Sequence, residues 1–199
     1  MPKETFFAAL DHYNETAENL RSTVEHDIWD TYGVEKCVLA LDMSGFSLLT
    51  QKYGIIHYLT MVRRMHIAAQ PMVERHRGTV IKFEADNMFA LFDRVLDAVK
   101  AAVTINMALD AMNTLTKEAR DLYVSIGISY GRLLLVPGHD YYGDCVNLAC
   151  KLGEDIAERH EILLTEDAYR QVADKPDLDV ERMDYSISGI QVPAYKVIY

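Results

Sequence analysis

The stretch CVLALDMSGF, residues 37–46, joins an apolar run to one carboxylate and a small flexible turn. Cys37–Leu41 is rich in Val and Leu and has the length of a buried strand. The run stops at Asp42, and Ser44-Gly45 turns the chain toward a helical pattern. A strand read this way delivers one carboxylate to its C-terminal end, beside the backbone N–H groups of a helix start. A carboxylate in that setting can hold a metal ion and a phosphate together.

Outward from this strand (36–42), the preceding residues 3–30 carry a helical pattern. Phe6, Leu10, Tyr13, Ala17, Leu20, Val24 and Ile28 recur at three- and four-residue steps. The stripe suits packing on its own domain or a short coiled-coil contact, and Tyr32-Gly33 ends it. On the other side, residues 47–76 read as a helix that Pro71 should kink or divide. Arg77-Gly78 breaks it. Residues 79–83 and 88–92 form a hairpin whose link, Glu84-Ala85-Asp86-Asn87, presents a second carboxylate at its tip.

A helix is expected over 94–115 and a strand over 122–129. Tyr130-Gly131 is expected to turn the chain so that 132–136 returns as a hairpin partner, followed by a loop over 137–143. A helix over 144–156, a strand at 162–164, a short helix at 166–172 and strands near 178–183 and 191–198 complete the chain. The order strand, helix, hairpin, helix, strand predicts an α+β sandwich of ferredoxin-like βαββαβ type, with helices on one sheet face.

The 199 residues, half of them hydrophobic, suffice for one domain with a full core plus an N-terminal helix. Residues 1–33 are expected to be a helical segment with a dimerisation or regulatory role, and 34–199 the main domain. The net charge is -10 and no long basic run occurs, which argues against nucleic-acid binding. Cys37, Cys145 and Cys150 are odd in number and form no CxxC pair, as expected of free thiols in a reducing cytoplasm. No stretch resembles a signal peptide or a transmembrane segment.

Asp42 and Asp86 come from a strand end and a hairpin tip 44 positions apart. Each alone is an ordinary turn residue. On neighbouring strands, the pair could hold one or two divalent cations and so serve an in-line displacement at phosphorus. His57, His66 and His76 are nine and ten residues apart, which is not ligand spacing.

Four segments in order carry a resemblance: LDMSGFS at 41–47, RGTVIKFEADNMFALF at 77–92, VSIGISYG at 124–131 and DYYGDCVNLACKL at 140–152. Together they resemble a class III nucleotide cyclase catalytic domain, from about residue 35 to the C-terminus. The resemblance implies two divalent cations, Mg2+ or Mn2+, on Asp42, Asp86 and the Met43 backbone. It implies that Ser44, Gly45, Phe46 and Ser47 wrap a triphosphate. Lys82 and Asp140 match the base-reading pair, Asn147 the ribose-orienting residue, and Lys151 the position of the transition-state arginine. Adenine offers an acceptor at N1 and a donor at N6, so a Lys donor and an Asp acceptor complement it.

The implied function is an adenylate cyclase, making 3′,5′-cyclic AMP and pyrophosphate from ATP in a homodimer with sites at the subunit interface. Three departures accompany it: Lys151 for arginine, Ser188 where a triphosphate-contacting lysine is frequent, and Glu84-Ala85 for an apolar-Gly pair. They keep open a nucleotide-binding module with little turnover. A cyclase using another nucleotide, such as GTP, is the other alternative.

Overall fold

The structure, a computed structural model, describes residues 3–116, 121–187 and 190–199; at 3, 46–49, 186–187 and 190–192 it describes the backbone alone. Strand β1 (Gly33–Met43) is the centre of the sheet. It pairs antiparallel with β3 (Asn87–Phe92) on one side and β4 (Val124–Val136) on the other. β2 (Thr79–Glu84) continues the sheet beyond β3. Beyond β4 come β6 (Ile162–Thr165), β8 (Ile190–Ile198) and β7 (Asp179–Ile187). The order β2-β3-β1-β4 is the expected ferredoxin-like arrangement, extended by the C-terminal strands.

Both faces of β1 are buried, which is why its sequence is a continuous apolar run rather than an alternating one. Leu39, Leu41 and Met43 join the large core beneath α4 (Ile55–Arg75) and α5 (Val95–Asn113). Val38 and Ala40 point the other way and pack with Cys145 and Ala149 of α6 (Asp144–Cys150). The helices therefore cover both faces, not one as the sequence suggested.

Four other expectations are corrected. β4 does not turn at Tyr130-Gly131, because β1 pairs with it without interruption from Val124 to Leu134. Gly131 serves close packing instead, since a Cβ there would lie 3.2 Å from Cys145. The predicted loop 137–143 contains β5 (Asp140–Tyr142), which folds back on the end of β4. The helix predicted over 47–76 divides at Gly54, not at Pro71, into α3 (Phe46–Tyr53) and α4. Gly54 has φ 84°, which favours glycine, whereas Pro71 is exposed, so the carbonyl it leaves unpaired can reach water.

The N-terminal helix is two helices, α1 (Lys3–Glu15) and α2 (Arg21–Tyr32), with a 3-10 turn between them. Ala17 is extended and Leu20 is exposed, so the apolar stripe is interrupted there. Phe6, Ile28 and Tyr32 pack against Val136.

Two glycines bring α6 and the residues after it onto the sheet. A Cβ on Gly127 would lie 2.1 Å from the Ala149 carbonyl oxygen and 2.5 Å from the Gly153 nitrogen. Gly127→Ala is expected to destabilise the domain by about 1–3 kcal/mol through overpacking and to displace α6. Thermal unfolding together with activity checks this, and an unchanged melting temperature would contradict it.

Candidate active site

Asp42 leaves β1 on the side opposite Leu41 and Met43, because successive strand residues alternate faces. Leu41 pairs with Met88 on β3, so the turn carrying Asp86 lies at the same end of the sheet. The turn is tight: Ala85 takes φ 51°, a left-handed conformation that glycine adopts more readily. Burial, followed by the negative charges of Asp86 and Glu154, pushes the Asp42 carboxyl up to about 7, partly offset by a hydrogen bond from the Met43 N–H.

Two further residues lie around this pair that the sequence did not single out for the site. Tyr58 of α4 is buried near Asp86; burial and then the Asp86 charge push its phenol up to about 12. In the sequence it is one aromatic residue within the helical stretch 47–76. Glu154 accepts a hydrogen bond from Asn87 at 3.4 Å, and burial with neighbouring Asp155, Asp86 and Glu84 raises its carboxyl. The signal available was a carboxylate one helical turn after Lys151.

Among the described residues, no three His, Cys, Asp or Glu side chains gather as a ligand cluster. What the site offers is two carboxylates and the adjoining Met43 carbonyl, an all-oxygen set that suits a hard divalent cation. The strained ionisation of Asp42 fits the same reading, since a bound cation would relieve it.

The Ser44 N–H donates to the Tyr123 carbonyl at 2.9 Å, so it is used within the fold. Gly45 takes φ 85° and starts α3 at Phe46. The first N–H groups of α3, those of Phe46 and Ser47 among them, have no partner within the helix. Ser188 and Gly189 lie outside the described residues.

A second group forms on β2 and β5. Lys82 Nζ lies 3.2 Å from Asp140 Oδ1 and 3.4 Å from Oδ2, although the residues are 58 positions apart. Glu84 Oε2 lies 3.2 Å from the same ammonium. Phe89 and Tyr141 contribute aromatic faces 5.4 and 6.0 Å from it. Tyr141 is buried in the core under α6. Tyr142 stacks on Phe6 of α1, with ring centroids 5.7 Å apart.

Asn147 and Lys151 form a third group, one helical turn apart and hence on one face. Asn147 is exposed, as is its neighbour Leu148. At Lys151 the helix loosens into a π-helical turn, Lys151–Ile156, a feature frequent at functional sites. Lys151 Nζ pairs with Asp155 at 2.5 Å. A cavity of about 380 Å³ between α5 and β8, lined by Val99, Val103 and Val197 with Lys100 and Lys175, lies apart from all three groups.

The family model described as "Adenylate and Guanylate cyclase catalytic domain" matches residues 33–197. "Putative adenylate cyclase 3" of Rhizobium meliloti (strain 1021) is 25% identical over 159 residues, 79% of this chain but only 27% of that protein. The chain thus spans about a quarter of that relative's length. The adenylyl cyclase CyaB from P. aeruginosa superimposes with a TM-score of 0.71 at 19% identity, over 84% of this chain and 96% of that one. The guanylate cyclase domain of RhGC from Catenaria anguillulae, in complex with GTP, does so with 0.69 at 16% identity, over 83% and 97%. The shared fold therefore spans structures described for either base. Among the described residues, no helix is long and apolar enough to cross a membrane.

Proposed function

Since this chain belongs to the adenylate and guanylate cyclase catalytic domain family, we propose that it is an adenylate cyclase, converting ATP to 3′,5′-cyclic AMP and pyrophosphate. The observation that carries this reading is the Lys82–Asp140 pair, 3.2 Å apart on β2 and β5. An ammonium donor beside a carboxylate acceptor complements N1 and N6 of adenine, whereas guanine presents the reverse pattern at those positions. A site built on such groups discriminates strongly, because the wrong base leaves them unpaired.

In the reaction, the ribose 3′-hydroxyl loses its proton and its oxygen attacks the α-phosphorus. The bond from that phosphorus to the bridging oxygen breaks, and pyrophosphate leaves. Asn147 orients the ribose, and the Lys151 ammonium neutralises charge growing on the α-phosphate. Backbone N–H groups at the start of α3, with Gly45 and Ser47, contact the triphosphate. Asp42, Asp86 and the Met43 carbonyl would hold two divalent cations, Mg2+ or Mn2+. Such cations acidify a bound hydroxyl and offset charge on a leaving group.

The site assembles in a homodimer in this proposal, with the carboxylates of one subunit facing Lys82, Asp140, Asn147 and Lys151 of the other. The exposed face of α6, with Asn147 and Leu148, supports that arrangement, and two-fold symmetry gives each subunit both roles. A second reading, nucleotide binding with little turnover, draws on Lys151 being an ion-paired lysine rather than an arginine.

Base choice is tested by competition among the four nucleoside triphosphates. Lys82→Glu with Asp140→Cys is expected to lower kcat/KM for ATP by roughly 10²-fold or more and to improve use of GTP relative to ATP. An unchanged ratio between the two would refute the base assignment.

A further inference from the structure

We propose that the cavity between α5 and β8 is a binding site for a monocarboxylate with an apolar tail, the tail lying against α5 and the carboxylate held by Lys100 and Lys175. The site lies apart from the paired carboxylates, the Lys82–Asp140 pair and α6, and it stands whether or not ATP is the substrate.

Leu96, Val99, Lys100, Val103 and Thr104 recur at three- and four-residue steps, so one face of α5 is an apolar wall with a lysine set into it. Val197 of β8 and Leu178, just ahead of β7, add to the apolar lining. The volume, about 380 Å³, falls within the range of small-molecule sites, which are mostly apolar with a few polar groups.

The neutral polar side chains on the lining are already engaged. The Thr104 hydroxyl donates to the Lys100 carbonyl at 2.6 Å, so its oxygen is left to accept from His76 Nε2 at 3.1 Å. Tyr199 Oη donates to the His160 carbonyl at 2.8 Å and accepts from Asn106 at 2.6 Å. A ligand therefore meets hydrocarbon walls and two ammonium groups. Lys175 pairs with Asp174 at 2.8 Å and, with three donors, is not saturated by it. Lys100 has no ion-pair partner among the described residues.

Asp177 is the one carboxylate on the described lining. Against it stand the two lysines, with further cations close by. Burial first, and then the Arg75 charge, lower the His76 imidazole; Lys100 and Arg77 add to that, and Asp97 opposes it. Asp97 is itself taken up by Arg77, at 2.7 Å. Such a gathering of positive charge, in a chain of net charge -10, favours a carboxylate over a neutral head group.

The test is calorimetry on the full chain with hexanoate, octanoate and decanoate, below their micelle concentrations, and with 1-octanol. Each added methylene should tighten Kd by about four-fold. Octanoate should bind roughly ten-fold tighter than octanol, the scale of hydrogen bonds to a charged group. Lys100→Gln, at an exposed position, should remove most of that difference and leave octanol unchanged. Val103→Phe, which fills part of the cavity, should weaken both ligands.

Decanoate that does not bind, or octanoate and octanol that bind equally to the wild type, would overturn the proposal. So would a Lys100→Gln variant that holds octanoate as the wild type does, or a folded Val103→Phe variant with unchanged Kd. Because the lysine is exposed, its variant decides the matter even if the filled variant fails to fold.

Discussion

Asp42→Ala is expected to reduce cyclic AMP formation by roughly 10²- to 10³-fold or more, the scale of losing a preorganised charged group at a reacting centre. The fold should survive, because Asp42 lies at the end of β1, while the interior positions Leu39 and Leu41 carry the packing. Asp42→Asn sharpens the test, since it keeps the shape and removes the charge. The carboxyl of Asp42 is raised to about 7 by burial first and by Asp86 and Glu154 second. A carboxyl raised on folding binds protons more tightly in the folded state, so its ionisation costs stability as pH rises toward 7.

The asparagine variant, free of that cost, should therefore melt higher than the wild type at pH 8 without added metal. A gain of roughly 2–4 °C corresponds to about 1 kcal/mol in a domain of this size, and the gain should vanish near pH 3, where the wild-type carboxyl is protonated both folded and unfolded. Apparent cation affinity should rise in the wild type between pH 6 and 8, as Asp42 ionises, and stay low in the variant. An inactive variant that melts lower at pH 8 would mean that Asp42 is structural and the paired-carboxylate reading wrong.

Lys151→Arg is expected to raise kcat by about ten-fold with little change in KM. Lysine keeps the charge but lacks the planar fork that grips two phosphate oxygens. The gain belongs in kcat because the charge being stabilised grows only in the transition state. The position is also restrained: Lys151 starts a π-helical turn and is tied to Asp155. Arginine, being longer, can reach further without leaving the helix face it shares with Asn147. Lys151→Ala should lower kcat by roughly 10²-fold. If the arginine variant binds ATP as the wild type does and turns over no faster, Lys151 does not face the α-phosphate, and the low-turnover reading gains.

The elements that sequence reasoning located well are those with one dominant cause. β1 is a short apolar run bounded by a carboxylate and a turn, and the β2–β3 hairpin is two apolar runs around a four-residue polar link. Asp42 and Asp86 stand out as candidates because both sit at such boundaries, and the register puts both at one end of the sheet. The errors arose where one residue type answers two demands. Gly131 was read as a turn, but its missing Cβ makes room for Cys145. Pro71 was read as a break, yet an exposed position tolerates it, and the break falls at Gly54. β5 has three residues and no periodicity to detect, but it carries Asp140. Tyr58 and Glu154 could not be placed beside the paired carboxylates from the sequence, because the fold brings them to Asp86 and Asn87 from far away in the chain.

The most direct test mixes the purified chain with ATP and Mg2+ or Mn2+ and quantifies cyclic AMP and pyrophosphate, with Asp42→Ala as control. Equal amounts of the two products from the wild type, and almost none from the variant, are predicted. ATP bound tightly with no cyclic AMP formed, or cyclic GMP made from GTP with the higher kcat/KM, would contradict an adenylate cyclase.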